Sequence, residues 1–380
     1  MTGKEIKVLH LGKFCPGFFG GIEIFTNDLL NSLNNKGVKA DLLCFLKKKS
    51  LTSDKYEIKY KYYLSKVNFI LNSAPISFEY VLNFLKFINS YDIIHIHSPN
   101  PLAEVLSLLC DNKIKVCHWH SDIVKQKISY FFYRPLQKKF LNSVHKIIAT
   151  SPNYIMYSQQ LKSFRKKIIF IPAGVDVERI LRLSESKDKS FVTFERRFKN
   201  KKIILSVGRL TYYKNFEYLI NSAEYLPEDY LIVIIGNGQE YSKLKKIINE
   251  KKLNKKVLLL RNVKNVYPYM KKCEIFVLPS TYRTEALGLV IIEALMLGKP
   301  IITHKLKSTG VGFINKNGQF GQMVDVRDPK LLSKAIKYVV SNKDMFTNKI
   351  LHSDIIKMYN IEYATNQLIN LYKNLLKENE

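Results

Sequence analysis

Two glutamates eight residues apart flank a glycine in the segment Glu285-Ala-Leu-Gly288-Leu-Val-Ile-Ile-Glu293. An apolar run at 275–279 precedes them, so the pattern is that of a strand, a glycine-containing turn and a helix. Such a turn leaves backbone N–H groups unpaired at the helix start, where they can bind an anion. With Glu293 about one turn deeper than Gly288, one carboxylate could reach each side of a bound phosphate, as the hydroxyls of a nucleotide sugar require. The alternative is a pair of solvated glutamates, one of which faces the helix dipole.

Two cations follow another apolar run. Gly208 and Arg209 come directly after the run at 203–207, and Lys214 stands five residues after the arginine. Arginine offers a planar fork to phosphate oxygens and lysine a mobile point charge, so the two could neutralise a diphosphate without a metal. Asn262 and Val263 follow a later apolar run, where their backbone groups could lie beside a base.

Glycine pairs follow two further apolar runs. Gly20 and Gly21 precede a helical stretch near the start of the chain, and Gly236 and Gly238 begin another. Glycines at a helix start let the backbone come close to a ligand, although a tight turn without a ligand fits the same pattern. The first pair lacks the Gly-x-Gly-x-x-Gly spacing of a dinucleotide site, which disfavours a nicotinamide enzyme.

Histidines also stand at the end of an apolar run. His118 and His120 flank Trp119, and His120 begins the following loop. A histidine there can donate to a sugar hydroxyl or carbonyl near neutral pH, so His120 is the candidate active-site histidine. His95 and His97 alternate along a buried-looking strand and are interpreted as structural.

Apolar or β-branched runs alternate with amphipathic helical stretches along the whole chain. This alternation predicts an α/β fold with two Rossmann-like, doubly wound domains, each a parallel sheet covered by helices. The two domains would face each other across a cleft at the carboxyl ends of their strands. The predicted strands are 6–10, 40–44, 93–97, 115–119, 146–150 and 168–171 in the first domain, and 203–207, 231–235, 257–260, 275–278 and 300–303 in the second.

The predicted domains are 1–185 and 186–358. The charged stretch 176–200 lacks a strong period and is interpreted as the end of the first domain plus a linker. The tail 359–380 has apolar residues at helical spacing and is predicted to be a helix that could cross back to the first domain.

The bulk composition limits the class of protein. At 380 residues the chain is long enough for two domains, and no window is apolar for long enough to span a bilayer. The first residues lead into a strand-like run rather than a secretory segment, so the protein is interpreted as cytoplasmic. Five scattered cysteines without a Cys-x-x-Cys pair are interpreted as reduced thiols. A formal charge of +29 favours anionic partners, with basic clusters at 47–49, 162–167 and 196–202, although compositional bias could produce part of it.

In combination these motifs resemble the retaining, metal-independent glycosyltransferases of the GT-B type, family 4, which include bacterial lipopolysaccharide glycosyltransferases. The resemblance covers nearly the whole chain. Its most specific parts are Gly236-x-Gly238 and the Glu285-x7-Glu293 segment with the following 294–300. Family members commonly carry Gly-Phe-Gly after the first glutamate, whereas this chain has Ala-Leu-Gly, which leaves the shape of the sugar pocket open.

The resemblance implies that the domain 1–185 lies on the acceptor side and the domain 186–358 on the donor side, and it implies a role for each motif. Arg209 and Lys214 would hold the donor diphosphate, Glu285 would meet hydroxyls of the sugar, Glu293 would bind the ribose, and His120 would approach the transferred sugar from the other domain. No cofactor or metal is expected. The backbone amides that would assist the phosphate belong to Ala286, Leu287, Gly288 and Leu289.

The implied reaction moves a hexose from GDP-mannose or a UDP-hexose to a lipid-linked oligosaccharide in O-antigen, lipopolysaccharide or capsule synthesis. The run 118–127 looks like that of surface-polysaccharide glycosyltransferases, and the basic surface suits peripheral docking on the inner face of the cytoplasmic membrane. A nucleotide-sugar epimerase of the same architecture is an alternative. A nucleic-acid-binding protein is another, supported by charge alone, since no recognition motif is present.

Overall fold

The computed structural model describes residues 5–15, 20–46, 57–124, 126–282, 285, 287–305, 309–315 and 318–379. The chain forms two compact units, one from Met1–Val175 together with Met358–Glu380 and the other from Asp176–Lys357. The boundary follows Val175 rather than residue 185, and the helical tail belongs to the first unit.

The first unit is built on a seven-stranded parallel sheet with the strand order β3-β2-β1-β6-β7-β8-β9. Every residue of β6 and β7 is buried, as expected for strands covered by helices on both faces. The strands are β1 (Lys7–Phe14), β2 (Lys39–Leu46), β3 (Tyr62–Lys66), β6 (Ile93–Ser98), β7 (Ile114–Trp119), β8 (Lys146–Ala149) and β9 (Ile168–Phe170), and a separate hairpin holds β4 (Phe69–Leu71) and β5 (Ala74–Ile76).

The helices of the first unit include one from the end of the chain. Helix α16 packs against α1 at the sheet and buries Tyr372 completely. The helices are α1 (Gly21–Asn35), α2 (Phe78–Phe87), α3 (Pro101–Ser107), α4 (Lys127–Ser143), α5 (Pro152–Tyr157) and α16 (Ile361–Lys377).

The second unit has a six-stranded parallel sheet with the order β12-β11-β10-β13-β14-β15. The strand order reverses between β10 and β13, and ligands of doubly wound sheets bind at the carboxyl ends of the strands beside such a reversal. In the first unit the corresponding reversal lies between β1 and β6. The strands of the second unit are β10 (Lys202–Val207), β11 (Tyr230–Ile235), β12 (Val257–Leu260), β13 (Ile275–Leu278), β14 (Ile301–His304) and β15 (Gly321–Val324).

The segment predicted to be a linker instead contains two helices of the second unit. Asp176 and Asp188 cap them, since each side chain accepts a backbone N–H from the first turn. The first helix buries Ile180 and the second buries Phe191. The helices of this unit are α6 (Val177–Glu185), α7 (Lys189–Arg197), α8 (Phe216–Ser222), α9 (Tyr241–Glu250), α10 (Tyr267–Lys272), α11 (Leu289–Met296), α12 (Gly310–Ile314), α13 (Pro329–Ser341) and α14 (Lys343–Leu351), and α15 (Ile355–Met358) ends at the return to the first unit.

The two sheets confirm the predicted fold of two Rossmann-like α/β domains, and all eleven predicted strands are present. All five cysteines are free and buried. No helix within the described ranges combines the length and the apolar character needed to cross a bilayer.

Candidate functional site

An ion pair lies at the strand-order reversal of the second unit. Nζ of Lys214, in the loop after β10, is 2.6 Å from Oε2 of Glu285, in the loop after β13. The two side chains are only 9% and 12% exposed. Ser280 donates to the same carboxylate oxygen at 2.9 Å. The structure therefore brings together two of the predicted site residues at the position where this fold binds ligands.

The backbone around Lys214 is shaped for this contact. The residue ends a 3-10 turn, Tyr212–Lys214, and Asn215 follows it with a left-handed φ of 51°. The side-chain amide of Asn215 donates to the hydroxyl of Thr281, and this hydrogen bond connects the loop after β10 to the loop after β13. A Cβ atom at Gly208 would lie 3.2 Å from Cε of Lys214, so a glycine leaves room for the lysine stem.

Arg209 does not join this pair. Its guanidinium is exposed, and Nη2 donates to the hydroxyl of Tyr213 at 3.2 Å. Within the described part of the chain Arg209 makes no ion pair. It is therefore a cation on the same loop as Lys214 with no counter-charge among the described residues.

Helix α11 begins beside Glu285, as predicted. Gly288 precedes the helix with φ 75°, a left-handed conformation that favours glycine, and Leu289 is the first helical residue. The first backbone N–H groups of a helix lack intrahelical partners and attract anions. Leu287 is buried, and Ala286, predicted to contribute an amide, lies outside the described residues.

Glu293 lies in α11 and is 8% exposed. The hydroxyl of Tyr267 in α10 donates to its Oε1 at 3.1 Å, and Nη1 of Arg179 in α6 donates to that hydroxyl at 3.3 Å. The sequence reasoning missed both partners because Arg179 falls in the supposed linker and Tyr267 belongs to no motif.

The glycines after β11 have a packing role. A Cβ atom on Gly236 would lie 1.9 Å from the carbonyl oxygen of Gly208, and one on Gly238 would lie 2.2 Å from that of Leu210. The two loops also share a backbone hydrogen bond of 3.0 Å from the N–H of Gly208 to the carbonyl of Ile235. The two glycines therefore let the loop after β10, which carries Arg209, pack against the loop after β11. This packing role is independent of any contact with a nucleotide.

Two predicted donor-site residues lie further along the sheet. Asn262, with a left-handed φ of 55°, and Val263 follow the edge strand β12, two strands away from β10. The structure does not bring them to the Lys214 and Glu285 pair. Arg261, which directly follows β12, connects to the loop after β11, because its Nε donates to the side-chain oxygen of Asn237 at 3.4 Å.

The predicted residues of the first unit begin α1 and follow β7. Gly20 is the extended residue before α1, and Gly21 begins that helix. His120 follows β7, and its backbone N–H donates to the carbonyl of Ser98 at 2.9 Å. Burial lowers the pKa of His120 to about 3, so its ring is neutral at neutral pH. His118 is buried within the sheet face rather than in the loop.

Two Rossmann-like units are the architecture of the GT-B class of glycosyltransferases. Family models match both units: one described as Glycosyltransferase Family 4 covers residues 19–179, and one described as Glycosyl transferases group 1 covers residues 188–356.

Relatives match over nearly the full length. O-antigen chain mannosyltransferase C of Escherichia coli is 30% identical, with 98% of this chain and 99% of that protein covered. D-rhamnosyltransferase WbpZ of Pseudomonas aeruginosa is 28% identical, with 88% and 86% covered. The crystal structure of Anabaena HepE with UDP and glucose has a similar fold, with a TM-score of 0.78, 16% identity, and 97% of this chain and 100% of that chain covered. The chain belongs to the family-4 glycosyltransferases and is an enzyme of that class.

Proposed function

We propose that this glycosyltransferase moves a hexose from a nucleotide sugar to a lipid-linked oligosaccharide of a bacterial surface polysaccharide, with retention of configuration and without a metal ion. The observation that carries the proposal is the contact between Lys214 and Glu285 beside the start of α11. It places a cation and a carboxylate beside the first backbone N–H groups of α11, at the reversal point of the sheet, and a sugar linked to a diphosphate needs this combination.

The diphosphate is the leaving group, and its negative charge grows as the bond to the sugar breaks. Lys214, Arg209 and the amides at the start of α11 supply positive charge to it in place of a metal ion. The bond from the anomeric carbon to the diphosphate oxygen breaks, and a bond to the acceptor oxygen forms on the same face. The proton of the acceptor hydroxyl passes to the departing phosphate, so no protein nucleophile is needed.

The carboxylates bind hydroxyl groups of the donor. Glu285 accepts from the sugar and Glu293 from the ribose, with Tyr267 holding the Glu293 carboxylate in place. In the first unit, His120 contacts the transferred sugar through its neutral ring.

Mannose is the preferred sugar in this proposal because a relative that is 30% identical over 98% of this chain is named for mannosyl transfer. GDP-mannose is therefore the first donor to test, and UDP-hexoses are the alternative. A donor that binds the native state raises its melting temperature by mass action, so a thermal-shift panel of nucleotide sugars with and without EDTA tests both the donor and the independence from metal.

Product analysis tests the reaction itself. With a lipid-linked acceptor present, NMR of the product should show the anomeric configuration of the donor. Release of an altered free sugar without an acceptor would instead identify an epimerase. Loss of the thermal shift in EDTA would contradict the metal-independent mechanism.

A lipid-linked acceptor requires the enzyme to work at a membrane surface, and the outer face of α4 suits such a surface. Ile128, Phe131 and Phe132 are 81%, 70% and 74% exposed and recur at helical spacing. Exposed basic side chains, Arg134 and Lys138, flank this face. An apolar helix face with basic neighbours is the pattern of a helix that lies in the interface of an anionic bilayer.

A second apolar region lies on the hairpin and α2. Phe69, Ile70 and Leu71 of β4 are exposed, as are Phe78 and Leu82 of α2. The two elements are joined by a hydrogen bond of 2.9 Å, in which the backbone N–H of Phe78 donates to the side-chain oxygen of Asn68. Of the predicted basic clusters, 162–167 forms a 3-10 turn of the same unit, whereas 47–49 lies outside the described residues.

Vesicle flotation tests this surface. The full chain should float with phosphatidylglycerol vesicles and less with phosphatidylcholine, and high salt should weaken the binding. Replacement of Phe131 and Phe132 together by serine should reduce flotation, whereas Tyr338→Ser, an exposed aromatic of the second unit, should not. Equal flotation of both variants, or none by the wild type at any salt concentration, would contradict peripheral binding through α4.

A further inference from the structure

Five histidine rings lie together on one face of the first sheet, at its strand-order reversal. Strand register explains the grouping, because His10 of β1 is paired with His95 of β6, and His97 of β6 is paired with His118 of β7. Neighbouring rings stack, with centroids 4.4 Å apart for His10 and His95 and 4.6 Å apart for His118 and His120. Alternate residues of a strand share a face, so two His-x-His pairs contribute four of the rings.

Tyr372 of α16 links these rings into one chain of hydrogen bonds. Its hydroxyl is 2.7 Å from Nδ1 of His95 and 3.5 Å from Nε2 of His10. On one side, Nε2 of His95 is 3.3 Å from Nδ1 of His118. On the other side, Nδ1 of His10 is 3.0 Å from Nε2 of His97, and Nδ1 of His97 is 2.9 Å from Nε2 of His120. Each interior ring therefore uses both of its nitrogens once.

The rings in this chain are neutral. Burial lowers the pKa of His10 to about 3, and burial together with the neighbouring rings lowers the pKa of His95 and His97 well below the usual value. A neutral imidazole has one N–H donor and one acceptor nitrogen. A ring that donates to one neighbour must accept from the other, so every hydrogen bond of the chain points in the same direction.

The buried end of the chain selects the direction. Nε2 of His118 is buried and has no hydrogen-bond partner among the described residues. Buried N–H groups without an acceptor are rarer than buried acceptors without a donor, so this nitrogen carries the lone pair. His118 therefore carries its proton on Nδ1 and donates to Nε2 of His95. His95 then donates from Nδ1 to the Tyr372 hydroxyl, which donates to Nε2 of His10. His10 donates from Nδ1 to Nε2 of His97, so the proton of His97 is also on Nδ1.

We infer that Tyr372, His10 and His97 are positioning residues that fix the tautomer of His120 through this chain. Nε2 of His120 accepts from His97, so its proton is on Nδ1. No hydrogen bond ends on that Nδ1 within the described part of the chain. His120 is thereby a hydrogen-bond donor and not a base toward whatever it contacts. The contribution of this donor to sugar binding rests on the proposed function, whereas the tautomer assignment of His120 is independent of that function.

Long-range 1H–15N correlation spectra of the full chain with 15N-histidine, near neutral pH, test the inference directly. The resonances are assigned by single substitution of each of the five histidines. The expected result is that all five rings are neutral and carry the proton on Nδ1. A mixture of Nδ1–H and Nε2–H rings, a protonated ring, or a stoichiometric transition metal in the purified protein would overturn it, because three of these rings lie close enough to share a metal ion.

Tyr372→Phe cuts the chain while keeping the aromatic ring. His120 should then lose its single tautomer and show the averaged signals of both forms. Tyr359→Phe is the matched control, since the Tyr359 hydroxyl is equally buried and has no hydrogen-bond partner among the described residues. An unchanged His120 spectrum in a folded Tyr372→Phe variant, or equal changes in both variants, would overturn the coupling. If the Tyr372→Phe variant does not fold, the spectrum of the wild type still tests whether all five rings carry the proton on Nδ1. Neither result depends on the identity of the donor.

Discussion

Nζ of Lys214 lies 2.6 Å from Oε2 of Glu285, and the two residues come from the loops on either side of the strand-order reversal in the second sheet. The pair has no net charge. Positive charge for a diphosphate must therefore also come from Arg209, which has no ion-pair partner in the described ranges, and from the amides at the start of α11. The same contact holds the Glu285 carboxylate where the sugar of a bound donor would lie.

Glu285→Gln should reduce turnover more than it reduces stability. The amide keeps the size of the side chain and can still accept from Ser280, but it loses the charge that orders Lys214. We expect turnover to fall about 100-fold, the scale of losing one electrostatic contact in a transition state. Turnover and the melting temperature, measured on the same preparation, check this. A large fall in melting temperature that accounts for the lost activity would show that the residue is structural.

Gly236→Ala should destabilise the second unit. The added Cβ would lie 1.9 Å from the carbonyl oxygen of Gly208, which is backbone and cannot rotate away. Overpacking of this kind costs about 1–3 kcal/mol of unfolding free energy. Thermal unfolding measures it, with Gln239→Ala as the control because that side chain is exposed on the same loop. Unchanged stability together with lost nucleotide binding would show that Gly236 acts on the ligand and not on loop packing.

Tyr267→Phe should weaken nucleotide binding and lower stability. The variant removes the hydroxyl that donates to Glu293 and accepts from Arg179. A lost buried hydrogen bond of this kind costs about 1–3 kcal/mol. Tyr269→Phe, on the same helix and also buried, makes no side-chain hydrogen bond within the described residues and should leave nucleotide affinity unchanged. If both variants bind nucleotide like the wild type, Glu293 does not need Tyr267.

The histidine chain predicts a loss of stability in mild acid. Folding lowers the pKa of these rings below the unfolded value of about 6.5. Below that pH the unfolded chain binds protons that the folded chain excludes, so the stabilisation is complete above pH 6.5 and declines as the pH falls toward 3. Each such ring contributes a slope of about 1.4 kcal/mol per pH unit.

Melting temperatures between about pH 7.5 and about pH 5.5 check this linkage. His118→Phe removes one buried titrating ring and keeps an aromatic group of similar shape, so its melting temperature should depend less steeply on pH than that of the wild type. A curve with the same steepness would mean that His118 does not titrate on unfolding in this range.

The sequence was sufficient to predict the two parallel sheets because most of their strands are buried on both faces and their sequences are apolar runs. It missed β3, where the exposed Tyr62 and Lys66 interrupt the apolar pattern, and β15, which begins at Gly321. It also missed α6 and α7, because each is only nine residues long and most of those residues are polar, although the apolar ones recur at helical spacing. Their caps, Asp176 and Asp188, were the available signal.

The site was predicted in part for a related reason. Lys214 and Glu285 each follow a strand, and the reversal of strand order brings the ends of β10 and β13 together. The contacts of Glu293 depend on how α6, α10 and α11 pack, which local pattern does not encode. The histidine chain depends on strand register and on Tyr372 from the end of the chain, so the sequence shows its members but not their connection.

Isothermal titration calorimetry with GDP-mannose, and in parallel with UDP-glucose, tests the central claim that Lys214 and Arg209 hold the donor diphosphate. Lys343→Ala is the matched control, because Lys343 also lies 2.6 Å from a glutamate, Glu274, at the opposite, amino end of β13. For the nucleotide sugar that the wild type binds, Lys214→Ala and Arg209→Ala should each weaken affinity by about tenfold to a hundredfold, and Lys343→Ala should leave it unchanged. Wild-type affinity in both site variants, or an equal loss in the control, would contradict the account.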